Sequence, residues 1–149
     1  MTHKDRALQL FDQGCNCCQS VCTAYADELG LDHETALKLS SGFGGGMGRL
    51  TNTCGVVTGA FMILGLYYGS GRVGDKVTKE QVYDYVRVFA EKFTDRHGTL
   101  MCRELLDCDI STPEGHAQAK AQNLFATRCR GFVGDSAEIL EEMLTAQER

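Results

Sequence analysis

The chain contains one proline, Pro113, and no tryptophan among its 149 residues. With a single proline and no low-complexity stretch or internal repeat, nothing marks a linker or a second domain, and the length suits one domain built on one core. Excess positive charge is also missing: 15 Lys and Arg stand against 20 Asp and Glu, a net charge of −5. That balance argues against a nucleic-acid partner or an anionic membrane surface. The longest apolar run, Val56 to Tyr68, falls short of the ~20 residues that span a bilayer, so it reads as a buried central helix. No apolar run follows the N-terminal segment Met1 to Arg6, so no secretory signal is read and a cytoplasmic, reducing compartment is expected. No segment alternates polar and apolar residues for long, which leaves an all-α expectation: a compact single-domain bundle of about six to eight helices spanning residues 1–149.

Several catalytic signatures are absent as well. Residue 19 is glutamine, so Cys15-Asn16-Cys17-Cys18 cannot form the C-x-x-C-H of a c-type haem site. That segment also lacks the strand and βαβ context of a thioredoxin-like pair. No Gly-Lys-Ser/Thr follows the glycine-rich stretch, which excludes a phosphate-binding loop. The four histidines, His3, His33, His97 and His116, form no H-x-x-x-H pair. Glu80, Glu91, Glu138, Glu141 and Glu142 read as solvated helix faces rather than an acid/base pair.

What the chain has in abundance is cysteine and glycine. Eight cysteines are present, at 15, 17, 18, 22, 54, 102, 108 and 129. In a reducing compartment they are ligands or redox thiols rather than structural disulfides. Five glycines lie between Gly42 and Gly48, immediately before Cys54. Glycine weakens both helix and strand, so this run implies positive φ or a close approach to another backbone or a ligand. Cys54 opens the apolar segment, where a helix N-terminus favours its thiolate. Cys54, Cys102 and Cys129 come singly, at helix ends or connections. A site with one thiol per element escapes spacing rules, because only the fold assembles it. Arg103, Arg128 and Arg130 flank two of these cysteines and could lower thiol pKa values.

Helices are expected from Lys4 to Phe11, Cys17 to Leu29, Glu34 to Ser40 with Asp32 as cap, and from Gly55 onward. Gly55 and Gly59 share one face of the last of these, and small residues at that spacing admit another backbone. Thr78-Lys79-Glu80-Gln81 reads as a capping box for a helix to about His97, burying Val82, Tyr85, Val86, Phe89 and Phe93. A short helix over Leu100–Leu106 follows, capped by Thr99. Ser111-Thr112-Pro113-Glu114 starts a helix to about Phe125, and a last helix runs from about Val133 to Leu144.

Taken together, Gly14 to Val21, Ser41 to Arg49, Cys54 to Gly59, Cys102 to Leu106 and Cys129 to Val133 resemble the redox-active family named for its C_GCAxxG_C_C cysteine pattern. Val56 stands where that pattern has alanine, and Cys18 where alanine is usual. The resemblance implies four working cysteines, falling here on Cys17, Cys54, Cys102 and Cys129, with Cys15, Cys18, Cys22 and Cys108 as extras. It is similar in turn to part of the split-Soret cytochromes c, dimers with a cysteine-bound iron–sulfur centre, whose haem-binding part is absent here.

The leading expectation is therefore a [2Fe–2S] or [4Fe–4S] cluster on those four cysteines, serving electron transfer or redox sensing with an unidentified redox partner protein. Gly44, Gly45, Gly46 and Gly55 would bring backbone N–H groups to its sulfurs. One alternative is a thiol–disulfide protein in which Cys54 attacks and a second cysteine resolves. Another is a structural zinc site. Small residues on the exposed side of the central helix offer a homodimer contact, as the cytochrome resemblance suggests.

Overall fold

The computed structural model describes residues 1–147. Capping residues set the beginning of most helices. Thr2 and Asp5 form a reciprocal capping box ahead of helix His3–Asp12, and Asn16 and Gln19 form another ahead of Cys17–Ala26. Asp32 caps His33–Ser40 by accepting the N–H of Thr35. The long helix Lys76–His97 starts two residues before the expected box, because Asp75 accepts the N–H of Thr78; Gly98, left-handed at φ 83°, ends it. Thr112 caps Pro113–Ala121, with the proline in the first turn where its missing N–H is harmless. Short helix Cys102–Leu106 and the final helix Arg130–Gln147 complete the set. Among the described residues the only β pairing is an isolated antiparallel bridge, Thr53 with Met101.

The central element is Gly55–Tyr68, as its all-round apolar character requires. Its most extensive contact is with Cys17–Ala26, whose residues from Ser20 to Ala26 are all buried. The glycine face makes that contact possible. A Cβ on Gly59 would lie 3.0 Å from the carbonyl oxygen of Cys18 and 3.3 Å from the Cβ of Val21. The small-residue spacing is thus used within the chain, against the neighbouring helix. Val21, Val56, Ile63, Leu64, Phe89, Phe93, Val133, Ile139 and Leu140 form a fully buried core around it. Of the stripe expected on Lys76–His97, only Phe89 and Phe93 are buried; Val82, Tyr85 and Val86 remain half-buried near the free end of that helix.

A second, smaller core gathers Cys102, Leu106, Ile110, Ala119 and Leu124. The helix from Pro113 stops at Ala121, short of Phe125, and the chain then makes one π-helical turn, Phe125–Cys129, that runs directly into Arg130–Gln147. Wider π turns are uncommon and concentrate at functional positions. The functional cavity opens between the two cores.

Candidate functional site: a four-cysteine cavity

The glycine run builds one wall of the cavity by an unusual route. Gly45, Gly46, Met47, Gly48 and Arg49 have φ of 68°, 66°, 69°, 61° and 64° in succession. With ψ of 32°, 47° and 31° at Gly45, Gly46 and Gly48, this is a turn of left-handed helix. The turn is closed by N–H groups of Arg49, Thr51 and Asn52 donating to the carbonyls of Gly44, Gly45 and Gly46. A left-handed turn costs an L-residue roughly 1–2 kcal/mol, which glycine escapes. Met47, Arg49 and Thr51 (φ 62°) do not escape it. Thr51 is held there by Arg103, whose guanidinium donates to its hydroxyl at 2.8 and 3.2 Å.

The segment leaving this turn pairs with the segment before the short helix. Cys54 N–H donates to Leu100 at 2.8 Å, and Cys102 N–H donates to Asn52 at 2.7 Å. This two-bond ladder brings Cys54 and Cys102 side by side from segments far apart in sequence. Gly46 fits beneath them: a Cβ there would lie 2.7 Å from the Asn52 nitrogen and 2.8 Å from the Cβ of Cys102. Cys17, first residue of its helix, enters from a third side, and Cys129, last of the π turn, from a fourth.

All four, Cys17, Cys54, Cys102 and Cys129, line one cavity of about 550 Å³. Gly44 and Gly45 line it as well. Gly46 is buried behind the wall, and Gly55 reaches the site through its amide. The remaining wall is mainly apolar, from Leu106, Ile110, Phe125 and Phe132, with no Asp or Glu in it. The extras lie apart. Cys18 and Cys22 are fully buried in the main core, Cys15 precedes its helix and packs on that core, and Cys108 donates to the Gly115 carbonyl beside the small core. All eight cysteines are free.

The four thiols are not equivalent. The Cys54 S–H donates to Cys17 sulfur, and the N–H groups of Gly45, Cys18 and Gly55 point at the same atom; together they outweigh burial and bring Cys17 down to about 7. Gly55 can approach so closely because it has no side chain: a Cβ would stand 2.5 Å from that sulfur. Cys54 moves the other way. Donating to Cys17 and being fully buried beside that negative charge hold its proton well above the ordinary 9.0. Cys102 and Cys129 are pushed to about 12, first by burial and then by the charge on Cys17. The sequence expectation of a Cys54 thiolate is thus reversed. Cys54 does cap the Gly55–Tyr68 helix, yet the helix-end amide of Gly55 serves Cys17 across the contact.

The flanking arginines have other partners. Arg103 holds Thr51, Arg128 donates to the Leu106 carbonyl at 2.8 Å, and Arg130 pairs with Asp12 at 2.9 Å. His97 faces Asp135 at 2.9 Å. Among the described residues no three Cys, His, Asp or Glu side chains stand where one ion could bind them together. Four sulfurs, with the His116 imidazole also in the wall, make a soft donor set that suits a soft-metal group. Among the described residues no helix is long and apolar enough to cross a membrane.

No curated protein and no solved structure matches the chain. A family profile does, that of "Putative redox-active protein (C_GCAxxG_C_C)", over residues 15–143, a span that takes in every cysteine described above. The chain therefore belongs to the C_GCAxxG_C_C family of redox-active proteins.

Proposed function

We propose that this protein is a one-cluster iron–sulfur protein, with Cys17, Cys54, Cys102 and Cys129 as the ligands, acting in electron transfer or redox sensing. The observation that carries the reading is that four cysteines from four remote segments line one apolar cavity with room for a group larger than an ion. The bound cluster would supply one-electron redox chemistry. The chain's own contribution is electrostatic. Amides of Gly45 and Gly55 aim at the Cys17 sulfur, and such N–H groups raise the reduction potential of a sulfur-ligated centre. Phe125 and Phe132 limit water at the sulfurs.

Purification without oxygen from iron-replete cells, with iron and acid-labile sulfide assays, tests the reading. Bound iron and sulfide are expected, lost on serine replacement of any of the four ligands and retained in Cys15→Ser and Cys22→Ser. Colourless, iron-free wild-type protein refutes it.

One contact favours a second reading. Cys17 and Cys54 share an S–H···S hydrogen bond, the arrangement of an attacking thiolate and its resolving thiol. Cys17 sulfur would attack a substrate disulfide and release one thiolate. Cys54 would then lose its proton and attack the Cys17 sulfur, releasing the second thiolate. The substrate gains two electrons and the protein is left with a Cys17–Cys54 disulfide. The roles are opposite to those expected from sequence. Thiol counting and disulfide mapping after mild oxidation separate this reading from the first.

A further inference from the structure

The cavity is larger than its sulfurs require. A volume of about 550 Å³ falls within the range of pockets that enclose small organic molecules. Such pockets combine apolar walls with a few placed polar groups, and this one has Leu106, Ile110, Phe125 and Phe132 on its walls.

Its one permanently charged lining residue is Arg49. Seven other arginines at described positions each have a partner: Arg6, Arg72, Arg87, Arg96, Arg103, Arg128 and Arg130. The Arg49 guanidinium has no hydrogen bond or ion pair among the described residues. It is also the residue that ends the left-handed turn, at φ 64°. A non-glycine residue kept in that region is a cost retained for a reason. The strained backbone folds the Arg49 side chain back over Gly45, so closely that a Cβ on Gly45 would lie 2.8 Å from Arg49 Cγ. Gly45 is the residue whose amide points at Cys17 sulfur. The free guanidinium and the amide that faces Cys17 are thus held on one short turn beside one cavity, with no carboxylate lining it to neutralise the cation.

We infer that the cavity receives a small organic anion, its charged end on Arg49 and its apolar body against Phe125 and Phe132, with its far end facing Cys17. Arg49 is the specificity-determining residue of this site. A guanidinium offers a carboxylate, sulfonate or phosphate a planar fork of donors, which a solvated surface lysine would not. The inference rests on the cavity and on Arg49 rather than on the cluster, so its failure and that of the iron assay are independent.

The test compares two alkylating reagents of nearly equal size, anionic iodoacetate and neutral iodoacetamide. In each case Cys17 sulfur bonds to carbon and iodide leaves. The reduced, metal-free full-length chain is used, and rates at the Cys17 and Cys108 peptides are read by mass spectrometry, with half-buried Cys108 as internal reference. The iodoacetate-to-iodoacetamide rate ratio at Cys17 is expected to exceed that at Cys108 by roughly tenfold, as a nearby fixed cation concentrates an anion. Arg49→Gln is expected to remove this preference while leaving the iodoacetamide rate at Cys17 unchanged, and Arg49→Lys to retain part of it. Arg49 is exposed, so these variants fold as the parent does. Equal ratios at the two cysteines in the parent chain overturn the inference. So does an Arg49→Gln variant that slows both reagents alike, since Arg49 would then act only on the acidity of the thiol.

Discussion

The asymmetry between Cys17 and Cys54 makes the sharpest prediction. Cys54 supplies the largest of the contacts that favour the Cys17 thiolate, ahead of the three amides. A hydrogen bond to a charged acceptor contributes about 1.5–3 kcal/mol, and 1.36 kcal/mol corresponds to one pH unit of titration midpoint. Replacing Cys54 by alanine removes that donor and leaves the amides of Gly45, Cys18 and Gly55 in place. The Cys17 midpoint should therefore move from about 7 in the parent by roughly one to two pH units upward in Cys54→Ala. Cys54→Ser, which keeps an O–H donor at the same place, should stay near the parent. The assay is the ultraviolet absorbance of the thiolate against pH in metal-free, reduced protein, with Cys17→Ser subtracted. Two results refute the reasoning: a parent midpoint at or above the ordinary thiol value, or an alanine variant that titrates with the parent.

Further predictions follow from the same contacts. In reduced, metal-free protein the cysteines should give stability a maximum near pH 9. Cys17, lowered to about 7 against 9.0 unfolded, adds stability as pH rises from 7 to 9. Cys18, Cys102 and Cys129, raised to about 12, withdraw it as pH climbs from 9 toward 12. Urea midpoints across this range check the curve, and Cys17→Ser should flatten its rising side. Gly55→Ala puts a methyl group 2.5 Å from Cys17 sulfur and 3.0 Å from Cys18 N, so it should cost about 1–3 kcal/mol in urea unfolding and raise the Cys17 midpoint. Gly65→Ala is the contrast: no atom lies within 4 Å of its added methyl, and alanine in a helix should stabilise by about 0.5–1 kcal/mol. Arg103→Ala should destabilise by about 1 kcal/mol, because Thr51 loses both hydrogen bonds that offset its left-handed backbone.

Local chemistry made much of this architecture legible. Asp32 and Thr112 act within one turn of where they stand, so their caps could be read without the fold. The Val56–Tyr68 run could only be a buried centre, and the Gly55–Gly59 spacing announced a close neighbour. The cap of the longest helix was misread because Asp75 and Thr78 both qualify by type, and the choice depends on where the preceding glycine loop delivers the chain. The π turn ending at Cys129 had no signal, since its wider spacing is imposed by the two cores it connects.

The sequence by itself determined the helical class and the need for a special backbone before Cys54, because each is a property of residue type and short-range spacing. Tertiary structure decided which sulfur the helix-end amide faces. Cys54 heads a helix, but an amide acts on whatever lies in front of it, and close packing of two helices puts Cys17 there. Thiol acidity is fixed by donors within hydrogen-bond reach and by exclusion of water, and both are set by segments dozens of residues away.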